Sequence, residues 1–356
     1  MRKPSRRSFL AGLGAAGAVG TAGCLGFELQ SGTQEPPLVE DRPDAVYVPT
    51  HTEGMAMAGM ASDGGYSCAL TYNFPHRFWT ITNNDTTQVK VGQNDALHLM
   101  PIVWHSETGI VPSDVNPQVD LTRNGESVIS GLNPWAMISQ NMGFHFGDNV
   151  ELPQQGEYDV TVSVGEGGSR RTGALTETGA AEFEFTLDYQ RSELRDIPFN
   201  QIEESRQGSR GAVEPMEMEM VPIRRAPAVD DLPGTGHGTT ESGDAVLAVQ
   251  RLDDATAFGG DDDQQYLAVS PRTPYNRFPL PGMSLSATLT RDGETAFDDY
   301  LYEWLDADLG VHYGAVVDGV ETGDELAISV DTPPQLARHE GYETAFLNMP
   351  EATLTL

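Results

Sequence analysis

NPWAMISQNMGFHFGDNVELPQQGEYDVTVSVG, residues 133–165, decides how the rest of the chain is read. Its second half alternates polar and apolar residues after a Pro- and Gly-containing turn, the period-2 pattern of a strand with one buried face. Its first half sets Met137 ahead of His145, which lies between Phe144 and Phe146 and is flanked in turn by two glycines. Two readings are open for that histidine: a buried residue marking a turn, or a transition-metal ligand at the lip of a β-sandwich.

Outward from this stretch the chain repeats itself. The pentapeptide GFHFG at 143–147 returns as GVHYG at 310–314, and each copy runs through a turn into an alternating strand, residues 157–164 and 325–330. YSCALTYNFPHRF at 66–78 aligns with YLAVSPRTPYNRF at 266–278, keeping Tyr, Arg and Phe at a constant offset of 200. LHLMPIVWHSETG at 97–109 aligns with MSLSATLTRDGET at 283–295 as a strand entering a turn. Three matches in one order indicate a duplication. Further short apolar runs (46–48, 66–72, 97–104, 182–187) are separated by Gly, Asn and Pro turns. The expected fold is all-β, two antiparallel sandwiches in tandem, with no long amphipathic helix.

Composition narrows the setting. The 356 residues carry 53 acids against 21 bases, a formal charge of −32, and only Lys3 and Lys90 are lysines. Acids dispersed over both halves suit a high-salt solvent, where the screening length falls to about 3 Å at 1 M and self-repulsion fades. A hydrophobic content of 38% in alternating runs argues against a disordered acidic chain. No basic patch exists beyond the first seven residues, so no nucleic-acid partner is expected.

The N-terminus reads as a targeting segment. Arg2, Lys3, Arg6 and Arg7 precede a Gly/Ala-rich run at 11–23 that is too short for a spanning helix. SRRSFL at 5–10 resembles the twin-arginine export motif, and TAGC at 21–24 resembles a lipobox with Cys24 as the acylated lipid anchor. The expected organisation is a signal at 1–23, a tether at 24–44, a first sandwich at 45–187, a linker at 188–244 and a second, degenerate sandwich at 245–356. Inside the linker, PMEMEMVP at 215–222 predicts a short strand with three methionines on one face, either as apolar filler or as a soft-metal face. With Cys24 acylated, Cys68 stands alone and no internal disulfide is expected.

His51 and Glu53 stand at i and i+2, on one face of an extended segment, and an imidazole beside a carboxylate suits Fe(II), Zn or Cu(II). Here the chain resembles the bacterial periplasmic iron-transport lipoproteins, also described as pathogen-specific antigens. The resemblance covers residues 45–187 and again 245–356. His51 and Glu53 match the family's early His-x-Glu. Met137 falls one residue further from His145 than usual, and HFGDN at 145–149 fits with Phe for Tyr. The late His is missing from the first half, where RRTG stands at 170–173. The second half keeps it as His339 within PPQLARHEGYET at 333–344, but has no His-x-Glu near 246–251 and places Trp304 or Leu305 at the Met position.

The resemblance implies an immunoglobulin-like sandwich, dimerisation and a copper or iron ion. It implies that the tandem halves mimic the dimer, with His339 completing one site formed by His51, Glu53, Met137 and His145; His339 as a leftover is the alternative. The implied role is iron uptake, copper-assisted, by a lipid-anchored protein on the outer face of the membrane, with a membrane permease as candidate recipient. His98 and Met100 share a strand face and form either a second soft site or core. His76 and His237 receive no role, and His312 is read as structural. A cupredoxin would need a Cys thiolate with His and a weak axial Met in a compact cluster, and apart from His76 no such pair closely follows Cys68. No nucleophile elbow, phosphate loop or HExxH spacing is present, so no enzyme is expected. A surface module without metal is the second reading.

Overall fold

The computed structural model describes residues 36–356, so the export motif, the apolar run and Cys24 lie outside the described residues. The first half contributes β1 (His51–Glu53), β2 (Ala56–Asp63), β3 (Tyr66–Asn73), β4 (Phe78–Thr82), β5 (Asp85–Val89), β6 (Asp95–His105) and β7 (Gln118–Arg123). It continues with β8 (Glu126–Leu132), β9 (Trp135–Ser139), β10 (Gly143–Glu151), β11 (Gly156–Val164), β12 (Arg170–Arg171), β13 (Ala181–Tyr189) and β14 (Phe199–Gln201). The second half contributes β15 (Thr235–Ser242), β16 (Ala245–Leu252), β17 (Gln265–Arg272), β18 (Ser284–Arg291) and β19 (Glu294–Asp306). It closes with β20 (Gly310–Val317), β21 (Glu325–Thr332), β22 (Ala337–Arg338) and β23 (Ala352–Thr355). The one α-helix among the described residues is the six-residue Arg191–Asp196, and none is long and apolar enough to cross a membrane.

The chain is all-β and forms two immunoglobulin-like sandwiches of one topology. In the first, the order β2-β3-β6-β10-β9 faces β13-β11-β7-β8; in the second, β15-β16-β17-β20-β19 leads into β19-β18-β21-β23. Alternation drives this layering. In AEFEFTLDY of β13 every second residue is buried and every other one exposed, so one register alone puts the apolar set on the core. β19 is long enough to pair with β18 through residues 294–301 and with β20 through 302–306, crossing between sheets. The same path in the first lobe is cut into β8 and β9 at Asn133-Pro134, because proline has no N–H to give a ladder.

The ladders correct part of the sequence alignment. β17, carrying Tyr266, pairs with β20 as β6 pairs with β10, so β17 answers to β6 and not to β3. Likewise β18 answers to β7, not to β6. The constant offset of 200 fails for a physical reason. The β4–β5 hairpin stands between β3 and β6, whereas only the short 3-10 turn Thr256–Phe258 stands between β16 and β17. The Met-rich segment is a second correction: residues 215–222 form no strand. Met216 and Met218 are half-buried and Met220 is exposed. Alternation makes a strand only beside an open edge, and Pro215 and Pro222 bound this segment as it crosses the molecule.

The lobes exchange short straps. After β21 the chain leaves its own lobe, and β22 inserts between β9 and β4, with Ala337 opposite Met137 and Arg338 opposite both Ile138 and Trp79. After β11 the first lobe does the same: β12 pairs with β19, Arg170 opposite Trp304 and Arg171 opposite Leu305. Both contacts are parallel, and they are related residue for residue, as in a self-complementary two-fold interface. One hydrophobic core runs from Val46 through Phe146 to Leu247 and Ile328, so the lobes are packed as one body. The strap is anchored at Arg338, fully buried, whose Nη2 donates to the Pro334 carbonyl at 3.1 Å. Beside it, Arg77 Nη2 and Glu340 Oε2 pair at 2.7 Å.

Candidate metal centre

The exchanged strap delivers His339 to a group of imidazoles from the first lobe. His98 is on β6, His145 on β10, and His76 in the turn between β3 and β4. The register fixes their neighbours: Met137 of β9 lies opposite His145, Asn149 of β10 opposite His98, and Asn73 at the end of β3 opposite His98 on its other side. Ring centroids are 4.1 Å apart for His76 and His98, 4.8 Å for His76 and His339, and 5.2 Å for His145 and His339. Ligating nitrogens of His76, His98 and His339 all lie within 4.8 Å of one another.

Hydrogen bonds set the tautomers. His76 Nδ1 contacts the Phe74 carbonyl at 3.0 Å, His98 Nδ1 the Asn149 Oδ1 at 2.9 Å, and His145 Nδ1 the Gly143 carbonyl at 3.0 Å. Each acceptor lacks a proton, so Nδ1 carries one and Nε2 keeps its lone pair. Nε2 of His76, His98, His145 and His339 is buried without a hydrogen-bond partner in every case. A single orphaned polar group costs about 1–3 kcal/mol, so four on neighbouring rings, three of them offering nitrogens within 4.8 Å of one another, favour an occupant such as a water or an ion. Burial also lowers the pKa of His145 to about 4 and drives those of His98 and His339 well below the ordinary value, with neighbouring imidazoles adding to the effect. The neutral rings are in the form that ligates metal.

A thioether joins them. A Cβ placed on Gly147 would lie 2.5 Å from His98 Nε2 and 3.0 Å from Met137 Sδ, so both donors pass over that glycine. Gly147→Ala is therefore expected to push the two donors out of line and weaken, at least about tenfold, the affinity for any ion that His98 and Met137 share, with a stability cost of about 1–3 kcal/mol for overpacking. Paired copper titration and chemical denaturation check it; equal affinity in the two proteins would mean His98 and Met137 do not share an ion. Asn149 holds His98 Nδ1 and also accepts from the His76 backbone N–H at 3.3 Å. Asn149→Ala is expected to weaken metal binding about 10–100-fold, as for other groups that orient a ligating imidazole.

Glu53 and His51 stand one step outward. Glu53 accepts from Asn73 Nδ2 at 2.6 Å, contacts His51 Nε2 at 3.0 Å and lies 3.5 Å from His76 Nδ1. Burial pushes its carboxyl pKa up, but His51, His76 and Asn73 together hold it below the usual carboxylate value. Both ring nitrogens of His51 are engaged, Nδ1 with Thr50 Oγ1 at 2.9 Å, and its ring stacks on Phe199. Glu53 thus meets the inner group at His76, while His51 hydrogen-bonds Glu53 and borders one cavity with His76 and His339. A cavity of about 90 Å³ bordered by His51, Glu53, His76, Met100 and His339 links this rim to the buried rings. A cleft of about 1160 Å³ lies on the far side of Glu53.

Of the sequence candidates, the structure brings together Met137, His145 and His339. It sets Glu53 at the edge and His51 beyond it. His98 and Met100 form no separate soft site: His98 belongs to the main group and Met100 lines the same cavity. His76 was missed by sequence reasoning. Its signal was its place just after β3, whose last residue pairs with His98. Cys68 is buried in the core with its thiol pKa pushed up by burial, so it offers no thiolate.

A domain of unknown function (DUF7350) matches residues 230–355. No curated protein sequence matches the chain. Among solved structures, a copper-bound variant of FetP from uropathogenic Escherichia coli is 17% identical, covering 38% of this chain and 97% of that one, with a TM-score of 0.30. The copper-reconstituted P19 protein from Campylobacter jejuni is 16% identical, with coverages of 38% and 97% and a TM-score of 0.29.

Proposed function

We propose that this chain binds one transition-metal ion between its lobes and carries it as part of extracytoplasmic metal uptake. The observation that supports this is the packing of His76, His98 and His339, with ligating nitrogens within 4.8 Å of one another, against His145, all four with a buried Nε2 that has no partner, beside a thioether. Imidazole with thioether is a borderline-to-soft donor set that suits copper; Glu53 at the rim, 3.5 Å from His76 Nδ1, is a hard carboxylate donor of the kind that suits Fe(II). Iron uptake, implied by the sequence resemblance, would then draw on Glu53 as well as the imidazoles. An ion surrounded by so many protein donors has little room for a substrate, so the role is binding and release rather than catalysis.

The N-terminal motifs support export and anchoring through Cys24, and a membrane permease is the class of partner that would take the ion onward. The test is metal analysis of the exported protein, followed by titration with Cu(II), Cu(I) and Fe(II). Binding near one ion per chain is expected, with nitrogen hyperfine structure in the Cu(II) spectrum. Absence of metal in chelator-free preparations, with no thermal shift on adding copper or Fe(II), would leave the surface-module reading standing.

A further inference from the structure

The second lobe builds the same chamber and fills it. His312 on β20 repeats His145: it is buried, and its Nδ1 contacts the Gly310 carbonyl at 3.1 Å. Trp304 lies opposite His312 where Met137 lies opposite His145. Tyr266 lies opposite Val316 where His98 lies opposite Asn149. On the reciprocal strap, the Thr172 N–H donates to the Leu305 carbonyl at 3.2 Å, as the His339 N–H donates to the Ile138 carbonyl at 3.1 Å. A spacing of 167 residues relates Met137 to Trp304, His145 to His312 and Thr172 to His339. Three donor positions of this chamber are thus held by Tyr266 and Trp304 of the second lobe and by Thr172 of the first lobe's strap.

What fills the space is specific. Tyr266 Oη donates to His312 Nε2 at 3.0 Å, so the lone pair left open in His145 is occupied here. Phe258, in the turn after β16, stacks on Tyr266 at 3.7 Å and 7°, as His76, in the turn after β3, packs on His98. Trp304 meets Phe258 edge-on at 5.2 Å. Gly314 repeats Gly147: a Cβ there would lie 2.1 Å from the Tyr266 hydroxyl. The glycine is kept in both lobes because in both a long side chain crosses it. A buried phenol needs an acceptor and finds it in His312, aromatic groups fill the volume, and Trp304 Nε1, buried without a partner, carries a proton and no lone pair, so this chamber presents no open nitrogen to an ion.

We propose that the second lobe holds a closed counterpart of the metal site, plugged by Tyr266, Trp304 and Phe258, so that the tandem chain binds one ion and its second lobe contributes His339 alone. The count of one rests on the proposed metal-binding function; the closed counterpart does not. The probe is Zn(II), diamagnetic and readily ligated by imidazole, counted by equilibrium dialysis of the full chain in molar KCl to screen its acidic surface.

The opened variant Thr172→His/Phe258→His/Tyr266→His/Trp304→Met is expected to hold two ions against one in the parent. A parent that binds none beside an opened variant that binds one would reject the metal function of the first lobe and still uphold the closed counterpart. A folded opened variant that gains no ion would overturn the proposal, as would two ions in the parent. Should the opened variant not fold, ring resonances of the parent decide. Shifts at His76, His98, His145 and His339 with His312 unmoved support it, and movement of His312 in step with them overturns it.

Discussion

The metal-free chain is expected to lose several kcal/mol of stability as pH falls from about 6.5 to about 4. His145 and His312 are both held neutral by burial, their pKa lowered from 6.5 to about 4. In that window the unfolded chain binds protons that the folded chain refuses, so lowering the pH draws the equilibrium towards unfolding. Each contributes about 3 kcal/mol of loss over the window, and above pH 6.5 the stabilisation is fully present. His98 and His339 act with the same sign. Asp148 and Glu343 oppose them, because burial raises their carboxyl pKa values and the folded state then takes up protons first. Asp148, raised to about 6, is partly open to solvent, which discounts its share. Denaturant midpoints at pH 7.5, 6, 5 and 4 in high salt measure the balance. A flat profile from 7 to 5 would mean these rings are not neutral and buried together. A bound ion takes the lone pairs that protons would take, so saturation with copper should move the acid transition to lower pH.

How much of this was legible in the sequence depends on whether a residue's role is local. The alternation of AEFEFTLDY and GEYDVTVSV carries its own face assignment, and the strands stand where those patterns place them. Met137, His145 and His339 were legible because repeat and family spacing mark them. His76 was not, since NFPHRF is an ordinary turn until the β3–β6 register sets it beside His98. Tyr266 was legible as a repeated residue but was matched to Tyr66; only the ladder shows that it replaces His98. The glutamates and methionines of residues 215–222 alternate as a strand would, yet pairing depends on a neighbour that no local pattern records. The exchange of straps is likewise non-local: nothing in PPQLARHEGYET says that Ala337 and Arg338 will leave their own sandwich for β9.

That exchange makes His339→Ala the most informative single substitution, with an expected loss of copper affinity of at least about a hundredfold. Groups that merely orient a ligating imidazole are worth about 10–100-fold, and a ring whose own Nε2 faces the site without a partner should exceed them. The strap should survive the change, since Arg338 to Pro334, Arg77 to Glu340, and the Thr50 N–H to Glu340 Oε1 at 2.9 Å all hold it independently of the ring. Unfolding in the absence of metal should therefore move little: a small cavity is opened, but an imidazole that burial keeps from protonating is removed. His51→Ala supplies the contrast. Both nitrogens of His51 are satisfied by Thr50 and Glu53, so its loss acts through Glu53 and should cost about tenfold, the low end of what groups behind a ligand are worth. Copper titrations of the two variants beside the parent order the residues directly. If His339→Ala keeps the parent's affinity and stoichiometry, the second lobe donates nothing to the ion. If His51→Ala costs more than His339→Ala, the ion sits at the Glu53 rim and the four inner imidazoles serve packing instead.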